Sequence, residues 1–328
     1  MAKRNILKVE DLSVFFKINE GVVRAVENVS FELKNGESIG LVGESGCGKT
    51  TTALAIMGML PGNGYVDSGK IFFDGNNIIK NTELEWQNYR WNKIAMIFQG
   101  AMNSLNPVMK INDQIGEAIK LHNPSITKEK LKRRVIELFK LVGLDEKRIN
   151  YYPHEFSGGM KQRVMIAMAL ACNPNLIIGD EPTTALDVMV QAQIIDLIND
   201  LRKKLNMSMI IITHDLSIIS EMCDKIAVMY AGNIVEVGYI EDIIENHKHP
   251  YTEKLIKAFP NIYGDKKMVE SIPGTPPNLL DPPKGCRFHP RCHKSRDICK
   301  SFIPEYTVFK NEHFVACHVA KEGNMSEA

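Results

Sequence analysis

Residues 43–50, GESGCGKT, have the glycine spacing and Lys-Thr ending of a phosphate-binding loop between a short apolar strand, SIGLVG, and a helical segment, TTALAIMGML. Glycines let backbone N–H groups close around a polyphosphate without clashes from side chains. The N-terminus of the following helix adds further N–H groups and its dipole. We expect Lys49 to reach the β- and γ-phosphates and the Thr50 hydroxyl to coordinate Mg²⁺. The loop glycines are Gly43, Gly46 and Gly48.

A second candidate group for phosphate chemistry is the acidic pair at the end of the apolar run LIIGDEP. An aspartate that ends a buried strand is the usual Mg²⁺-binding carboxylate of nucleotidases with such a loop, which indicates Asp180. Glu181 follows at once and is positioned to orient or deprotonate a water molecule. The alternative for Glu181 alone is a solvated loop glutamate.

The segment FSGGMKQR forms a second candidate phosphate cradle. Ser157 is suited to cap the following helix, and Gly158 and Gly159 leave its first N–H groups accessible. One nucleotide uses two separate cradles only if the fold brings them together. Otherwise each cradle serves a different chain.

Four of the seven cysteines lie near the C-terminus, in GCRFHPRCHKSRDICK and HFVACH. Their spacing lacks the tight cysteine pairs of zinc knuckles, so zinc is the less favoured ligand, and disulfides are unusual in a reducing compartment. Four thiolates from an irregular segment suit a [4Fe–4S] cluster, which tolerates varied spacing. Unliganded buried thiols are a further alternative. The cysteines are Cys286, Cys292, Cys299 and Cys317, with His289, His293, His313 and His318 as less favoured ligands.

Alternating strands and helices are predicted to position these motifs. RNILKVEDLSVFFKI, GVVRAVENVSFELKNGE and SGKIFFDGNNI indicate antiparallel strands, the last with an Asp-Gly turn. The chain from about residue 83 to 150 is mainly helical in pattern. NLIIGDEP and MSMIIITH are buried strands flanking the amphipathic helix VMVQAQIIDLINDLRKKL, and DKIAVMYAGNIVEVG is a hairpin. This order predicts an α/β fold with a largely parallel sheet. The prolines of SIPGTPPNLLDPPKG exclude helix and central strand there and predict an extended arm.

Size and charge exclude several classes of protein. The chain has 328 residues, 44% hydrophobic and 24% charged, which is ordinary for a globular protein with a sizeable core. A net charge of +1 argues against nucleic acid as the main partner. The N-terminus, MAKRNILKVEDL, shows no apolar signal-peptide region, and no apolar run approaches the ~18 residues of a membrane span. We therefore expect a cytosolic protein with reduced cysteines.

The motifs together resemble the ATPase subunits of ABC transporters. The phosphate-loop sequence, FSGGM, GDEP and ALD occur in that family's order, with Gln99 in MIFQG and His214 in IIITHD at the matching positions. The segments FQGAMNSLNP, HPYTEKL and PGTPPNLLDPPKGCRFHPRC are similar to those of the oligopeptide/dipeptide importer ATPases, and SGGM and TTALDV to one of their two paralogous subunits. The resemblance covers essentially the whole chain.

This resemblance implies an ABC nucleotide-binding domain over residues 1–260, with P-loop core sheet, antiparallel β subdomain and a helical subdomain at about 100–170. An irregular C-terminal extension (residues 261–328) then carries the cysteines. It implies that ATP on the phosphate loop (residues 43–51) of one subunit is covered by the SGGM segment (residues 157–160) of another. The phosphate loop comprises Gly43, Glu44, Ser45, Gly46, Cys47, Gly48, Lys49, Thr50 and Thr51.

The family also implies individual roles. Catalysis falls to Glu181, His214, Lys49 and Gln99, and Mg²⁺ is held by Thr50, Gln99 and Asp180. Ser157, Gly158, Gly159 and Asp187 act across the subunit boundary. Phe16 is expected to stack on adenine, with Phe15 facing the core; the alternative for Phe16 is a core residue. For Cys47, a small space-filling role is favoured over a reactive thiol of lowered pKa.

The importer resemblance implies further components. They are a second ATPase subunit (a paralogue or a second copy), two membrane permease subunits and, indirectly, an extracytoplasmic peptide-binding protein, with no nucleic acid. This chain would then lie peripherally at the cytoplasmic face of the membrane. It also implies a [4Fe–4S] cluster on the four cysteines. Two alternatives are a non-transport ABC ATPase and a nucleotide-switched iron–sulfur sensor; the retention of Glu181 and His214 argues against the latter.

Overall fold

A computed structural model describes residues 4–100, 104–184, 186–258, 272–310 and 312–327. The described strands are β1 (Asn5–Ile18), β2 (Gly21–Lys34), β3 (Ser38–Val42), β4 (Gly64–Phe73), β5 (Asn76–Asn77), β6 (Ile94–Ile97), β7 (Leu176–Asp180), β8 (Ser208–Ile212), β9 (Lys225–Tyr230), β10 (Asn233–Tyr239), β11 (Tyr306–Phe309) and β12 (His313–Ala316). The α-helices are α1 (Lys49–Ile56), α2 (Glu83–Tyr89), α3 (Ile111–His122), α4 (Lys128–Leu141), α5 (Gly158–Ala169), α6 (Val188–Leu205), α7 (Leu216–Met222), α8 (Ile240–Asn246), α9 (Pro250–Lys257), α10 (Asp297–Ser301) and α11 (His318–Glu327).

The chain divides into two compact units. The first unit contains Arg4, Lys34–Glu37 and the described residues of Lys80–Ile211. The second unit contains Asn5–Leu33, Ser38–Ile79 and Ile212–Ala328. The expected boundary near Pro260 lies outside the described residues and stays a prediction.

The second unit begins with the antiparallel sheet that the alternating pattern predicts. Its strand order is β2-β1-β4-β5, and Phe16 on β1 is paired in register with Gly64 on β4. The turn between β4 and β5 places Asp74 and Gly75 at φ 49° and 83°. Positive φ at both residues is what a two-residue Asp-Gly hairpin requires, so this prediction is confirmed.

A second group of strands in this unit runs in the order β11-β12-β10-β9-β3. The buried strand β3 pairs with β9 in parallel, and β9 and β10 form the predicted antiparallel hairpin. The last two strands pair with each other, and β12 continues the sheet beside β10, with Glu236 opposite Val315. The prediction of an irregular C-terminal extension is therefore wrong, because its described residues include strands β11 and β12 and helices α10 and α11. Residues 272–285 do lack helix and strand, as their prolines predict.

The first unit carries three neighbouring strands in the order β8-β7-β6, of which β6 and β7 are parallel. Sequence periodicity missed β6 because its four residues, IAMI, are all buried and show no alternation. The helices of residues 111–169 follow their patterns closely. Helix α4, for example, is capped by the Thr127 side chain and buries Leu131, Val135 and Leu138 on one face.

None of the helices among the described residues combines the length and apolar character that crossing a membrane requires.

Candidate active site

The phosphate loop lies between β3 and α1 in the second unit, and two of its glycines have no room for a side chain. Gly43 has a φ of 147°, and a Cβ there would clash with the Met229 carbonyl. Gly48 has a φ of 104°, and a Cβ would stand 2.5 Å from the Ala25 carbonyl oxygen. Only glycine satisfies both the backbone conformation and the close approach.

Lys49, the first residue of α1, turns back towards the loop. Its buried Nζ donates to the carbonyl oxygens of Gly43 at 2.7 Å and Glu44 at 3.1 Å, and lies 3.6 Å from Cys47 Sγ. Helix α1 has no side-chain cap, since Gly48 occupies the N-cap position. A helix N-terminus of this kind suits an anion. In the loop before this helix Ser45 and Gly46 are exposed, and in its first turn Thr50 is exposed and Thr51 half-buried.

Cys47 fits the space-filling interpretation. Its side chain is 3% exposed, and burial raises the pKa of its thiol although Lys49 acts in the opposite direction. A buried thiol with a raised pKa is a poor nucleophile. The alternative of a reactive thiol with a lowered pKa is wrong.

The acidic pair ends strand β7 in the first unit. Asp180 is the last residue of this entirely buried strand and is itself 3% exposed. Glu181 is half-buried and has a φ of 47°, in the left-handed region that glutamate rarely occupies. The sharp change of backbone direction between the two residues re-aims the glutamate side chain. Conformations of this kind cluster at functional sites.

The Glu181 carboxylate is fixed by two donors within the first unit. Gln99 Nε2 donates to Glu181 Oε2 at 2.8 Å, and the Thr184 hydroxyl donates to the same oxygen at 2.9 Å. Gln99 follows β6, which pairs with β7, so the parallel register brings the glutamine to the glutamate. The motifs predicted Gln99 and Glu181 but not Thr184, whose only sequence signal is a hydroxyl three residues after the glutamate.

The SGGM segment and Asp187 meet at the start of α6, also in the first unit. The Ser157 side chain accepts from the Met160 N–H at 3.4 Å and caps α5, as predicted. Asp187 caps α6 through the Val190 N–H at 3.0 Å. A Cβ on Gly159 would stand 2.6 Å from Val190 Cγ1, so the glycine permits this close contact. Ser157 and Asp187 are both exposed.

Gln162 is a residue that sequence analysis did not single out. This buried side chain on α5 donates from Nε2 to the Pro182 carbonyl oxygen at 2.6 Å. The bond links the helix that follows the SGGM segment to the backbone immediately after Glu181.

Two further predicted residues lie in the second unit. His214 is exposed two residues after the end of β8, and the next residue, Asp215, caps α7 by accepting from the Ser217 N–H at 2.8 Å. Phe16 is half-buried, and its ring covers Gly64, where a Cβ would stand 2.7 Å from the ring. The expectation that Phe15 faces the core is wrong, because Phe15 is also half-buried and packs edge-on against Tyr65 with ring centroids 6.2 Å apart.

The four C-terminal cysteines lie close enough together for the charges of three of them to affect the pKa of Cys286. Burial, with smaller contributions from the charges of Cys317, Cys299 and Cys292, raises the pKa of Cys286 to about 12. The pKa values of Cys292 and Cys317 are also raised, first by burial. Within the described ranges, no group of three or more His, Cys, Asp or Glu side chains is arranged to hold a single metal ion. A four-iron cluster holds its thiolates further apart than one ion does.

The histidines near these cysteines have other partners. His289 Nδ1 lies 2.9 Å from the Cys286 carbonyl oxygen, and His318 Nε2 lies 2.9 Å from that of Phe302. His313 is buried, 3% exposed, and hydrogen-bonded to Glu236. The hydrogen bond to Glu236 occupies Nε2 of His313 in this structure.

Comparison with known proteins finds two family profiles along the chain. A profile described as ABC transporter matches residues 26–184, and one described as Oligopeptide/dipeptide transporter, C-terminal region, matches residues 235–299. The second match includes Cys286, Cys292 and Cys299 but ends before Cys317.

Similar sequences and structures agree with these profiles. The oligopeptide transport ATP-binding protein OppD of Bacillus subtilis is 48% identical over 94% of this chain and 87% of its own length. The dipeptide transport ATP-binding protein DppD of Lactococcus lactis is 44% identical over 96% and 90%. Among solved structures, a dimeric post-hydrolysis state of the ATP-binding cassette MJ0796 bound to ADP and Pi is 27% identical, with a TM-score of 0.64 over 71% of this chain and 98% of that one.

Proposed function

Because the chain belongs to the family of ATP-binding subunits of oligopeptide and dipeptide ABC transporters, we propose that it hydrolyses ATP to power the import of dipeptides or oligopeptides. The observation that carries hydrolysis, rather than binding alone, is the Glu181 carboxylate held by Gln99 and Thr184 directly after the buried Asp180. A carboxylate fixed in this way is suited to orient and deprotonate the attacking water.

The phosphate loop is the proposed cradle for the nucleotide. Its backbone N–H groups and the start of α1 would contact the phosphates, and the Lys49 ammonium would neutralise part of their charge. Phe16 on β1 offers an aromatic face to adenine. His214 would contact the γ-phosphate. Binding in this form needs Lys49 to exchange its present carbonyl partners for phosphate oxygens.

The residues proposed for Mg²⁺ have the donor chemistry that this ion prefers. The Thr50 hydroxyl, the Asp180 carboxylate and the Gln99 amide all offer oxygen. Gln99 donates from Nε2 to Glu181, which leaves its Oε1 as the oxygen that could serve as a ligand. Bound there, Mg²⁺ would neutralise charge on the phosphates. Glu181 itself is outside this set and keeps its role toward water.

The SGGM segment is proposed to act on ATP held by a second ATPase subunit, which is either a paralogue or another copy of this chain. Its exposed Ser157 and the exposed Asp187 at the start of α6 are consistent with a role at a subunit boundary. The same proposal includes two separate permease subunits, a peptide-binding protein outside the membrane and a peripheral position at the cytoplasmic face.

We also propose that Cys286, Cys292, Cys299 and Cys317 hold a [4Fe–4S] cluster, with zinc as the alternative. Burial disfavours the thiolate forms of Cys286, Cys292 and Cys317, and a cationic centre would offset that cost. Such a centre would tie the segment around α10 to the β12–α11 junction and so stabilise the extension.

Reconstitution tests the transport proposal. The chain is purified with candidate permease subunits and a paralogous ATPase, placed in vesicles with a peptide-binding protein, and assayed for ATP-dependent peptide uptake. Uptake that requires this chain supports the proposal. ATP hydrolysis without association with permeases would favour a non-transport ABC ATPase, and nucleotide binding without turnover a nucleotide-switched iron–sulfur sensor.

A further inference from the structure

Arg291, in the C-terminal extension, joins three segments of the second unit. Its side chain is only 7% exposed, and it donates to Glu44 Oε2 at 2.8 Å and Glu44 Oε1 at 3.1 Å. It also donates to the Tyr230 hydroxyl at 3.2 Å, at the end of β9. Two further bonds reach the proline-rich arm, at the carbonyl oxygens of Pro273 (2.8 Å) and Ile272 (3.2 Å).

Glu44, the partner of Arg291, belongs to the phosphate loop and is held at three points. Its carboxylate receives the two-pronged bond from Arg291, and its backbone N–H donates to the Tyr251 hydroxyl at 3.0 Å. Its carbonyl oxygen accepts from Lys49 Nζ at 3.1 Å. Glu44 therefore connects Arg291 of the extension to Lys49, the lysine that would contact phosphate.

A buried aromatic cluster packs next to these hydrogen bonds. Phe288 packs against Tyr230 with ring centroids 5.1 Å apart and against Tyr251 at 5.3 Å, and the two tyrosine rings are 4.6 Å apart. All three rings are at most 1% exposed. Since Phe288 lies three residues before Arg291, the extension contacts both tyrosines that touch Glu44 or its partner.

We propose that Arg291 is a positioning residue for nucleotide binding, which fixes the phosphate loop through Glu44 without touching the nucleotide. This inference rests on the proposed function, because the loop must bind ATP for its position to matter. A guanidinium that grips a carboxylate with two bonds sets both distance and orientation. A loop held in its binding conformation loses less conformational entropy when the ligand arrives.

The same extension offers a matched comparison. Lys294 lies on the other side of Cys292 and forms a 2.8 Å ion pair with Glu253 on α9. That pair joins the extension to α9, whereas the Arg291 pair joins it to the phosphate loop. If the ion pairs served only to attach the extension, loss of either one would have the same effect on nucleotide binding.

The experiment compares Arg291→Gln and Lys294→Gln in the full-length chain. Dissociation constants are measured with a fluorescent ATP analogue and Mg²⁺, and KM and kcat with ATP in the assembled transporter. For Arg291→Gln we expect the dissociation constant and KM to rise about tenfold, which corresponds to about 1.4 kcal/mol, with kcat changed less than about twofold. Lys294→Gln should match the wild-type chain. Equal affinities for all three proteins would overturn the inference.

Two further variants separate positioning from a general loss of stability. Arg291→Lys keeps the charge but loses the two-pronged geometry, so its dissociation constant should lie between those of the wild type and Arg291→Gln. Glu44→Gln combined with Arg291→Gln should bind no more weakly than Arg291→Gln alone, because both remove one interaction. Weaker binding by the double variant than by Arg291→Gln, or a wild-type affinity for Arg291→Lys when Arg291→Gln does not fold, would contradict positioning. A wild-type chain that binds no nucleotide would instead refute the proposed function and this inference with it.

Discussion

Glu236 on β10 accepts a hydrogen bond from His313 on β12, with His313 Nε2 and Glu236 Oε1 2.7 Å apart and both residues buried. The backbone N–H groups of Lys248 and His249 also donate to this carboxylate, at 2.7 and 3.0 Å. Burial alone would raise the pKa of Glu236, but these hydrogen bonds outweigh it and lower the pKa. The C-terminal extension is therefore joined to the start of α9 through one carboxylate.

His249 gives this region a predictable pH dependence. Burial lowers the pKa of His249 to about 4, against an opposing effect of Glu236, and its Nδ1 accepts from the Tyr251 N–H at 3.0 Å. Below pH 6.5 His249 becomes protonated in the unfolded chain but stays neutral in the folded chain. The free energy of unfolding therefore falls as the pH decreases towards 4. We expect a loss of about 1 kcal/mol between pH 7 and 5.5, measured by urea unfolding.

His249→Asn is the control for this pH dependence. Asparagine accepts a hydrogen bond at the N-cap position but does not titrate. The variant should lose most of the difference in unfolding free energy between pH 7 and 5.5. An unchanged pH dependence would show that His249 is not its source.

Glu181→Gln tests the proposed chemistry most directly. The amide keeps the shape of the side chain but removes the base, so ATP hydrolysis should fall by about a thousandfold while ATP binding persists and dimers accumulate. Single-turnover hydrolysis and gel filtration with ATP measure both effects. Glu117→Gln, an exposed glutamate on α3 of the same unit, should leave both unchanged. Normal turnover in Glu181→Gln would refute the role of Glu181.

Loss of the Thr184 hydroxyl should reduce ATP hydrolysis less than loss of the Glu181 carboxylate. Thr184→Val removes one of the two hydrogen bonds to Glu181 Oε2 and leaves Gln99 as the other donor. We expect kcat to fall about tenfold, equivalent to about 1.4 kcal/mol. Thr184→Ser keeps a hydroxyl and should recover most of that loss. If serine and valine behave alike, the hydroxyl has no part in orienting the glutamate.

The sequence predicted those parts of the fold and candidate site that depend on local patterns. The glycines of the phosphate loop, the Asp74–Gly75 turn and the buried strand before Asp180 follow from backbone conformation and periodicity over a few residues. Strands β6, β11 and β12 were missed because each has only four residues. Runs this short do not establish a period.

Contacts distant in sequence explain the remaining differences. Arg291 and Glu44 are 247 residues apart, and His313 and Glu236 are 77 apart. Neither arginine nor histidine carries a local pattern that predicts burial, since each becomes buried only because a carboxylate elsewhere in the chain pairs with it. Thr184 is different: its hydroxyl is local to Glu181, but its direction depends on the left-handed backbone at Glu181.

The cysteine proposal predicts a coloured protein. Anaerobically purified chain should absorb near ~400 nm and contain iron and sulfide in about fourfold excess over protein. Cys299→Ser should lose this absorbance and lower the melting temperature, because a metal centre contributes folding energy to the segments that its ligands join. Cys172→Ser, which alters a half-buried cysteine of the first unit whose thiol faces the Ala118 carbonyl, should keep both. Colourless wild-type protein with one zinc would reverse the order of the two ligands.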